Sequence, residues 1–178
     1  MSHLGAPWLE RVDRETREQP DRVLDALALT PDMTVADIGA GSGYVTARLA
    51  GRVSRVIATD IQPEMLALLA KRQLSNVTLV LATEHDAKLA PASIDLALLV
   101  DVYHELSDPP GVMAGIRAAL RPGGRLVLVE YRGEDPAVAI KPEHKMTLAQ
   151  IQKELAALGF QFVESLEFLP DQRVVVFK

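Results

Sequence analysis

A chain of 178 residues with a formal net charge of −5 and no cysteine fits a single domain, since domains commonly run to roughly 100–200 residues. It is long enough to bury a core without disulfides or structural metals. The missing cysteines exclude disulfides, thiolate metal sites and cysteine nucleophiles. The acidic balance argues against general nucleic-acid binding, which needs a positive surface to displace counterions from phosphates. Apolar residues make up 48% and charged residues 24%, ordinary for a soluble globular protein, and no run approaches the roughly 18 apolar residues of a membrane span. The N-terminal stretch MSHLGAPWLERVDRE has no apolar segment of signal-peptide type, so a cytoplasmic location is expected.

Residues 1–20, with the single tryptophan Trp8, read as an arm or lid, and 21–178 as one domain. Helix is expected over 21–29, with Asp21 as N-cap and Val23, Leu24 and Leu27 on one face. A short buried-type strand follows at 33–38, then Gly39-Ala40-Gly41-Ser42-Gly43 and a helix through Leu49. A second strand spans 54–60. Pro63 suits the first position of a helix reaching about Arg72, because its missing N–H would be unpaired there anyway. Strands are expected at 76–82 and 93–100, a helix from Pro109-Pro110 to near Leu120, an Arg121–Gly124 turn, and a fifth strand at 125–131. Thr147 through Gln150 has the capping-box pattern. Gly159 suits the residue after that helix, and 160–169 with 173–177 form a hairpin. Repeated β/α alternation gives a doubly wound, mostly parallel α/β sheet by the right-handed crossover rule; the terminal hairpin adds an antiparallel strand.

The glycines at 39, 41 and 43 directly follow a strand and open a helix. Such a loop turns sharply and lets a ligand approach the main chain. A phosphate loop would need Gly-Lys-Ser/Thr, and no lysine is present. A dinucleotide fingerprint would need a small residue at its last position, which is Tyr44 or Thr46 here. What remains is a G-x-G-x-G loop with an acidic residue before it, or a plain tight turn. Asp60 lies 17 residues beyond Gly43, close to the roughly 20 at which a ribose-binding acid is expected. It is a ribose ligand or a helix cap.

VADIGAGSGYVTARLA (35–50), VIATDIQPEML (56–66), SIDLALLVDVYHEL (93–106) and LRPGGRLVLVEY (120–131) together resemble the ordered motifs of class I S-adenosylmethionine-dependent methyltransferases. They are similar in particular to compact bacterial methyltransferase-domain proteins. The resemblance covers 20–178 and implies a Rossmann-like sheet of seven strands in the order 3-2-1-4-5-7-6. It also implies S-adenosylmethionine as cofactor. Asp37 would reach the methionine ammonium, directly or through water. Gly39, Gly41 and Gly43, with Ala40 between them, would let the backbone pass the methionine and ribose. Asp60 would bind the ribose diol and Ile61 would lie against adenine. Asp101 would set its carbonyl near the amino group and the sulfonium. Where the family often has an aspartate for the adenine amino group this chain has Thr83, so Glu84 or Asp86 is expected to assist.

Methyl transfer needs an aligned nucleophile and, for a protonated acceptor, a base. His104 is the candidate base, since histidine titrates near neutrality; capping the following turn is its plainer reading. Tyr103 is expected to line the same place as a wall or hydroxyl contact. Glu130 and Tyr131 have similar standing, His144 and Lys145 belong to a lid or a solvated loop, and His85 falls near the adenine. His104 with Glu105 and Asp108 lacks ligand spacing, so no metal is expected. Little chain remains to cover the site, which favours a small-molecule acceptor or a pocket completed by a second copy in a homodimer. Nucleic acid and membrane are not expected partners. Two other readings stay open: a non-catalytic S-adenosylmethionine-binding module, and an NAD(P)-dependent oxidoreductase.

Overall fold

The computed structural model describes residues 10–178; His3 and Trp8 lie outside the described residues. The elements in chain order are α1 (Arg14–Arg17), α2 (Pro20–Ala26), β1 (Thr34–Ile38), α3 (Tyr44–Ala50), β2 (Arg55–Asp60), α4 (Pro63–Ala70), β3 (Val77–Leu81), β4 (Ile94–Val100), α5 (Pro109–Ala119), β5 (Leu120–Arg132), β6 (Lys145–Met146), α6 (Leu148–Ala157), β7 (Phe162–Leu166) and β8 (Gln172–Phe177). Single 3-10 turns lie at Tyr103–Glu105 and Pro142–His144. No helix among the described residues is long and apolar enough to cross a membrane.

The strands form one sheet in the order β3-β2-β1-β4-β5-β8-β7, with β6 beside β5. Strands β1 to β5 run parallel. Strand β8 runs antiparallel to β5, and β7 antiparallel to β8. The sheet therefore has eight strands where seven were expected. The extra one is the two-residue β6, which pairs Lys145 with Tyr131 and Met146 with Arg132. Strand β4 already stops opposite Val129, so the end of β5 has a free edge that the returning loop takes up.

Side chains alternate across the sheet as strand geometry requires. Val35, Leu96, Leu98, Val127 and Val129 pack with α2 and α3. Ala36, Ala97, Leu99, Leu126 and Leu128 pack with α5 and α6. Helices therefore cover both faces, and β1, β4 and β5 are buried throughout their middle. This arrangement explains why their sequences read as continuous apolar runs.

Local chemistry sets most boundaries. Helix α2 begins one residue earlier than expected: Gln19, not Asp21, is the cap, in a left-handed conformation (φ 45°), and Pro20 takes the first helical position. Thr147 caps α6 by accepting from the Gln150 N–H at 3.1 Å, while the Gln150 side chain turns forward to Glu154, so the capping box is half made. Phe160 and Gly159 donate back to the carbonyls of Leu155 and Ala156, with Gly159 at φ 86°; this is a Schellman ending. The expected turn at Arg121–Gly124 is a bulge within β5, between the pairs Ile94–Leu120 and Leu96–Arg125.

Candidate functional site

The chain reverses direction across the sheet between β1 and β4, the switch point where open α/β sheets hold ligands at the carboxyl ends of their strands. The ends of β2, β1, β4 and β5 stand in a row. Spacing of about 4.8 Å per strand puts the first and last roughly 14 Å apart. A cavity of about 600 Å³ runs along this edge, within the roughly 300–1,000 Å³ typical of small-molecule sites.

The glycine loop shapes its floor. Gly39, Gly41 and Gly43 have φ of 68°, 54° and 86°, where any side chain is strained. A Cβ on Gly39 would sit 2.6 Å from Val102 Cγ2, and one on Gly43 2.1 Å from Leu69 Cδ1. Gly39 thus lets β1 end against the turn after β4, and Gly43 lets α3 start against α4. Gly39 and Gly41 line the cavity; Ala40 and Gly43 lie behind it, with the Ala40 N–H on the Thr59 carbonyl at 2.9 Å.

Asp60 lines the cavity and is buried. Its carboxylate accepts from the Gly41 N–H at 2.9 Å and the Gln62 N–H at 2.8 Å, so it pins the glycine loop to the end of β2. Gln62, not Asp60, is the cap of α4. Each carboxylate oxygen can accept a further hydrogen bond. Ile61 and Thr83 also line this end, together with Ala82 and Ala87. Glu84 is exposed and off the cavity wall. Asp86 pairs with Lys88 at 2.9 Å, and His85 turns out to Asp108 at 2.8 Å. Among these candidates Thr83 is the one whose place meets the cavity.

Asp37 points to the face of α3 rather than into the cavity. It is buried and accepts from Thr46 Oγ1 at 2.5 Å. Burial pushes its carboxyl up to about 6, with Asp60 adding to the rise and Thr46 and Arg14 opposing it. The folded protein therefore holds this proton more tightly than the unfolded chain, whose value is 3.8. Stability from this group is complete below about 3.8 and falls as pH rises toward about 6, by roughly 3 kcal/mol. Asp37→Asn removes the penalty while keeping an acceptor for Thr46. Urea denaturation at several pH values is expected to show the variant gaining on the wild type between about pH 4 and pH 6; a constant difference would show that Asp37 ionises without cost.

Asp101 lines the cavity at the end of β4 with a left-handed backbone (φ 55°), a strained conformation of the sort found at ligand sites. Both its oxygens accept from Gln172 Nε2, at 2.8 and 2.9 Å. Burial, then the charges of Glu130 and Glu18, push its carboxyl well up. Arg14 opposes the rise at both Asp37 and Asp101. This arginine is itself buried and lines the cavity, pairs with Glu18, and lies 4.2 Å over the Tyr44 ring. Nothing local in the sequence marks it: its burial comes from packing α1 on α3. The described part of the N-terminal arm is fastened over the loop by further bonds. Glu10 accepts from Ser42 Oγ at 2.6 Å and Glu15 from Tyr44 Oη at 2.5 Å, while Arg17 ties the arm to Asp171 of the β7–β8 turn at 2.6 Å.

At the far end His104 lines the cavity with a side chain 6% exposed. Its Nδ1 lies 2.6 Å from Glu130 Oε2. Glu130 is fully buried, and its other oxygen accepts the Tyr103 N–H at 2.9 Å. Burial lowers the His104 pKa, but the bond and charge of Glu130, with Asp101 and Glu105, outweigh it and the net shift is upward. Nε2 lies 3.1 Å from His144 Nδ1. His144, Ile140 and Lys141, from the loop after β5, close this end beside Glu105 and Tyr131. Tyr103, expected on the same wall, turns instead into the core on the α5 and α6 face, because successive residues of its turn point to different sides. Burial, then the nearby Glu154 of α6, push its hydroxyl pKa up.

A family model described as "Methyltransferase domain" matches residues 36–128, just over half of the chain. An uncharacterized methyltransferase of Mycobacterium tuberculosis (strain H37Rv) is 35% identical over 117 residues, 66% of this chain and 47% of that one. A demethylmenaquinone methyltransferase of Tropheryma whipplei (strain Twist) is 30% identical over 147 residues, 82% of this chain and 60% of that one. The chain thus spans about half the length of the mycobacterial relative. The crystal structure of a SAM-dependent methyltransferase from Aquifex aeolicus superposes with a TM-score of 0.91 at 22% identity, covering 99% of this chain and 98% of that one. The DhpI–SAH complex gives 0.77 at 21%, covering 99% and 92%. Sheet order, glycine loop and family match agree, and the chain belongs to the class I S-adenosylmethionine-dependent methyltransferases.

Proposed function

We propose that this chain binds S-adenosylmethionine along the cavity and transfers its methyl group to a small acceptor at the His104 end. One observation carries the reading: a single cavity joins Asp60 at one end to Arg14 and Asp101 in the middle and His104 beyond. A nucleoside joined to an amino acid needs such a series of partners. The glycine loop supports the fit, because Gly39 and Gly41 line the cavity and bring bare main chain to its wall.

Asp60 would accept from the ribose hydroxyls through the free lone pairs of its two oxygens. Ile61 and Ala82 would border the adenine, with Thr83 at its edge. At the amino-acid end Arg14 offers a cation to the carboxylate. Asp101 lies beside it for the ammonium, and Asp37 is set behind the loop to act through water or charge. Bound there, S-adenosylmethionine supplies an electrophilic methyl group on a sulfonium sulfur. Glu130 fixes the imidazole of His104 through Nδ1, so Nε2 is the atom with which His104 acts on an acceptor. Arg14 of the described arm and Ile140, Lys141 and His144 of the loop after β5 wall the site and would keep water from the sulfonium. Residues 21–178 serve as the methyltransferase domain and residues 10–20 as part of its cover.

Calorimetric titration with S-adenosylmethionine, S-adenosylhomocysteine and NADH tests the cofactor. Micromolar binding of the first two and none of the third is expected. Binding of NADH alone, or of none of them, would overturn the reading.

A further inference from the structure

His104, Glu105 and His144 bring three ligand atoms to one corner of the cavity. His104 Nε2 is 3.1 Å from His144 Nδ1 and 4.0 Å from Glu105 Oε1. His144 Nδ1 is 3.8 Å from the same oxygen. Nitrogen and oxygen ligands at about 2.0–2.2 Å from a tetrahedral zinc lie roughly 3.3–3.6 Å from one another. The three observed edges bracket that figure, so small side-chain rotations would converge the lone pairs on one point.

Two further features separate this corner from a chance meeting of polar groups. The buried Glu130 holds Nδ1 of His104 at 2.6 Å, which orients the ring and leaves the lone pair on Nε2. A carboxylate behind a histidine in this way is the usual support of a metal-binding imidazole. All three candidate ligands also line the cavity. Three protein ligands with an open side are the arrangement of zinc sites that act on substrates, whereas structural sites close with a fourth protein ligand.

We propose that His104, Glu105 and His144 form a binding site for a divalent cation of borderline softness, zinc foremost, with its open coordination position turned to the cavity. Linear spacing had grouped Asp108 with His104 and Glu105, and on that grouping no metal was expected. The fold sends Asp108 to His85 at 2.8 Å and to the Gly111 N–H at 3.2 Å. It brings in His144 from 40 residues further along. In the metal-free protein the contact between the two rings is a hydrogen bond; the cation takes its place. Ion binding at this corner does not depend on S-adenosylmethionine binding, but it occupies Nε2, so with the ion bound His104 is a ligand and not a base.

The test is calorimetric titration of zinc into the whole chain, prepared without a histidine tag and stripped with a chelator, beside His144→Ala and Glu105→Gln. Both positions are more accessible than His104, with side chains 38% and 29% exposed, and circular dichroism checks the fold of each. One equivalent is expected to bind the wild type, with affinity at least about tenfold weaker in each variant. Cobalt in place of zinc should give visible absorption of low-coordinate type that His144→Ala abolishes. No binding by the wild type, or binding as tight as the wild type's in both variants, would overturn the proposal. Either result leaves the S-adenosylmethionine titration to be judged by itself.

Discussion

Replacing His104 by asparagine is expected to lower turnover by about 10²–10⁴-fold, the range over which a positioned acid–base or acceptor-contacting group acts, while S-adenosylmethionine affinity stays unchanged. The asparagine amide can still donate to Glu130, so the buried carboxylate keeps a partner. Alanine would leave that carboxylate with the Tyr103 N–H and no imidazole. Leaving a buried carboxylate without one of its hydrogen-bond donors costs about 1–3 kcal/mol or more, so His104→Ala confounds chemistry with folding and the asparagine variant is the cleaner probe. Thermal melting of both variants separates the two effects. Full turnover by His104→Asn would remove the imidazole from the mechanism, and a parallel loss of cofactor affinity would move its role to binding.

Asp60→Ala is expected to weaken S-adenosylmethionine binding by about 1.5–3 kcal/mol, roughly 10- to 150-fold, the value of hydrogen bonds to a charged group. The carboxylate also ties Gly41 to the end of β2, so part of the loss will come from a looser glycine loop. Asp60→Asn is the milder change: its carbonyl oxygen keeps one of the two backbone N–H contacts, while its amide group can accept neither the other nor a ribose hydroxyl. Calorimetry on both variants, with melting temperatures as a check on the loop, measures the loss. Unchanged affinity in both would sink the ribose assignment.

The two sites differ in how they are encoded. The cofactor half rests on local rules. Alternate glycines, an acid at the end of the next strand and Pro63 at the head of a helix are each properties of a few consecutive residues. A strand that ends at Ile38 and runs into Gly39 has few ways to enter a helix at Tyr44. The acceptor half rests on distance. His104 and His144 are 40 residues apart, Glu130 comes from another strand, and nothing in any of these stretches signals that the others are near.

Three placements show the same division. Asp37 precedes the glycine loop as the motif suggests, yet alternation along β1 aims it at Thr46 of α3 and away from the cavity. Tyr103 and His104 are neighbours in sequence, and one turn of backbone sends the first into the core and the second to the site. Arg14 belongs to a four-residue helix without any motif, and packing against Tyr44 and Glu18 brings its charge to the cavity.

By itself the sequence determined the α/β class, the order of the elements, the glycine loop and the acid at the end of β2, because hydrophobic period, turn chemistry and capping act over a few residues. The tertiary structure alone decided the eighth strand at Lys145–Met146, the buried Arg14, the Glu130–His104–His144 chain and which acids face the cavity. Those features depend on how close distant elements come when two faces of a sheet are packed, and no local pattern in the chain records that distance.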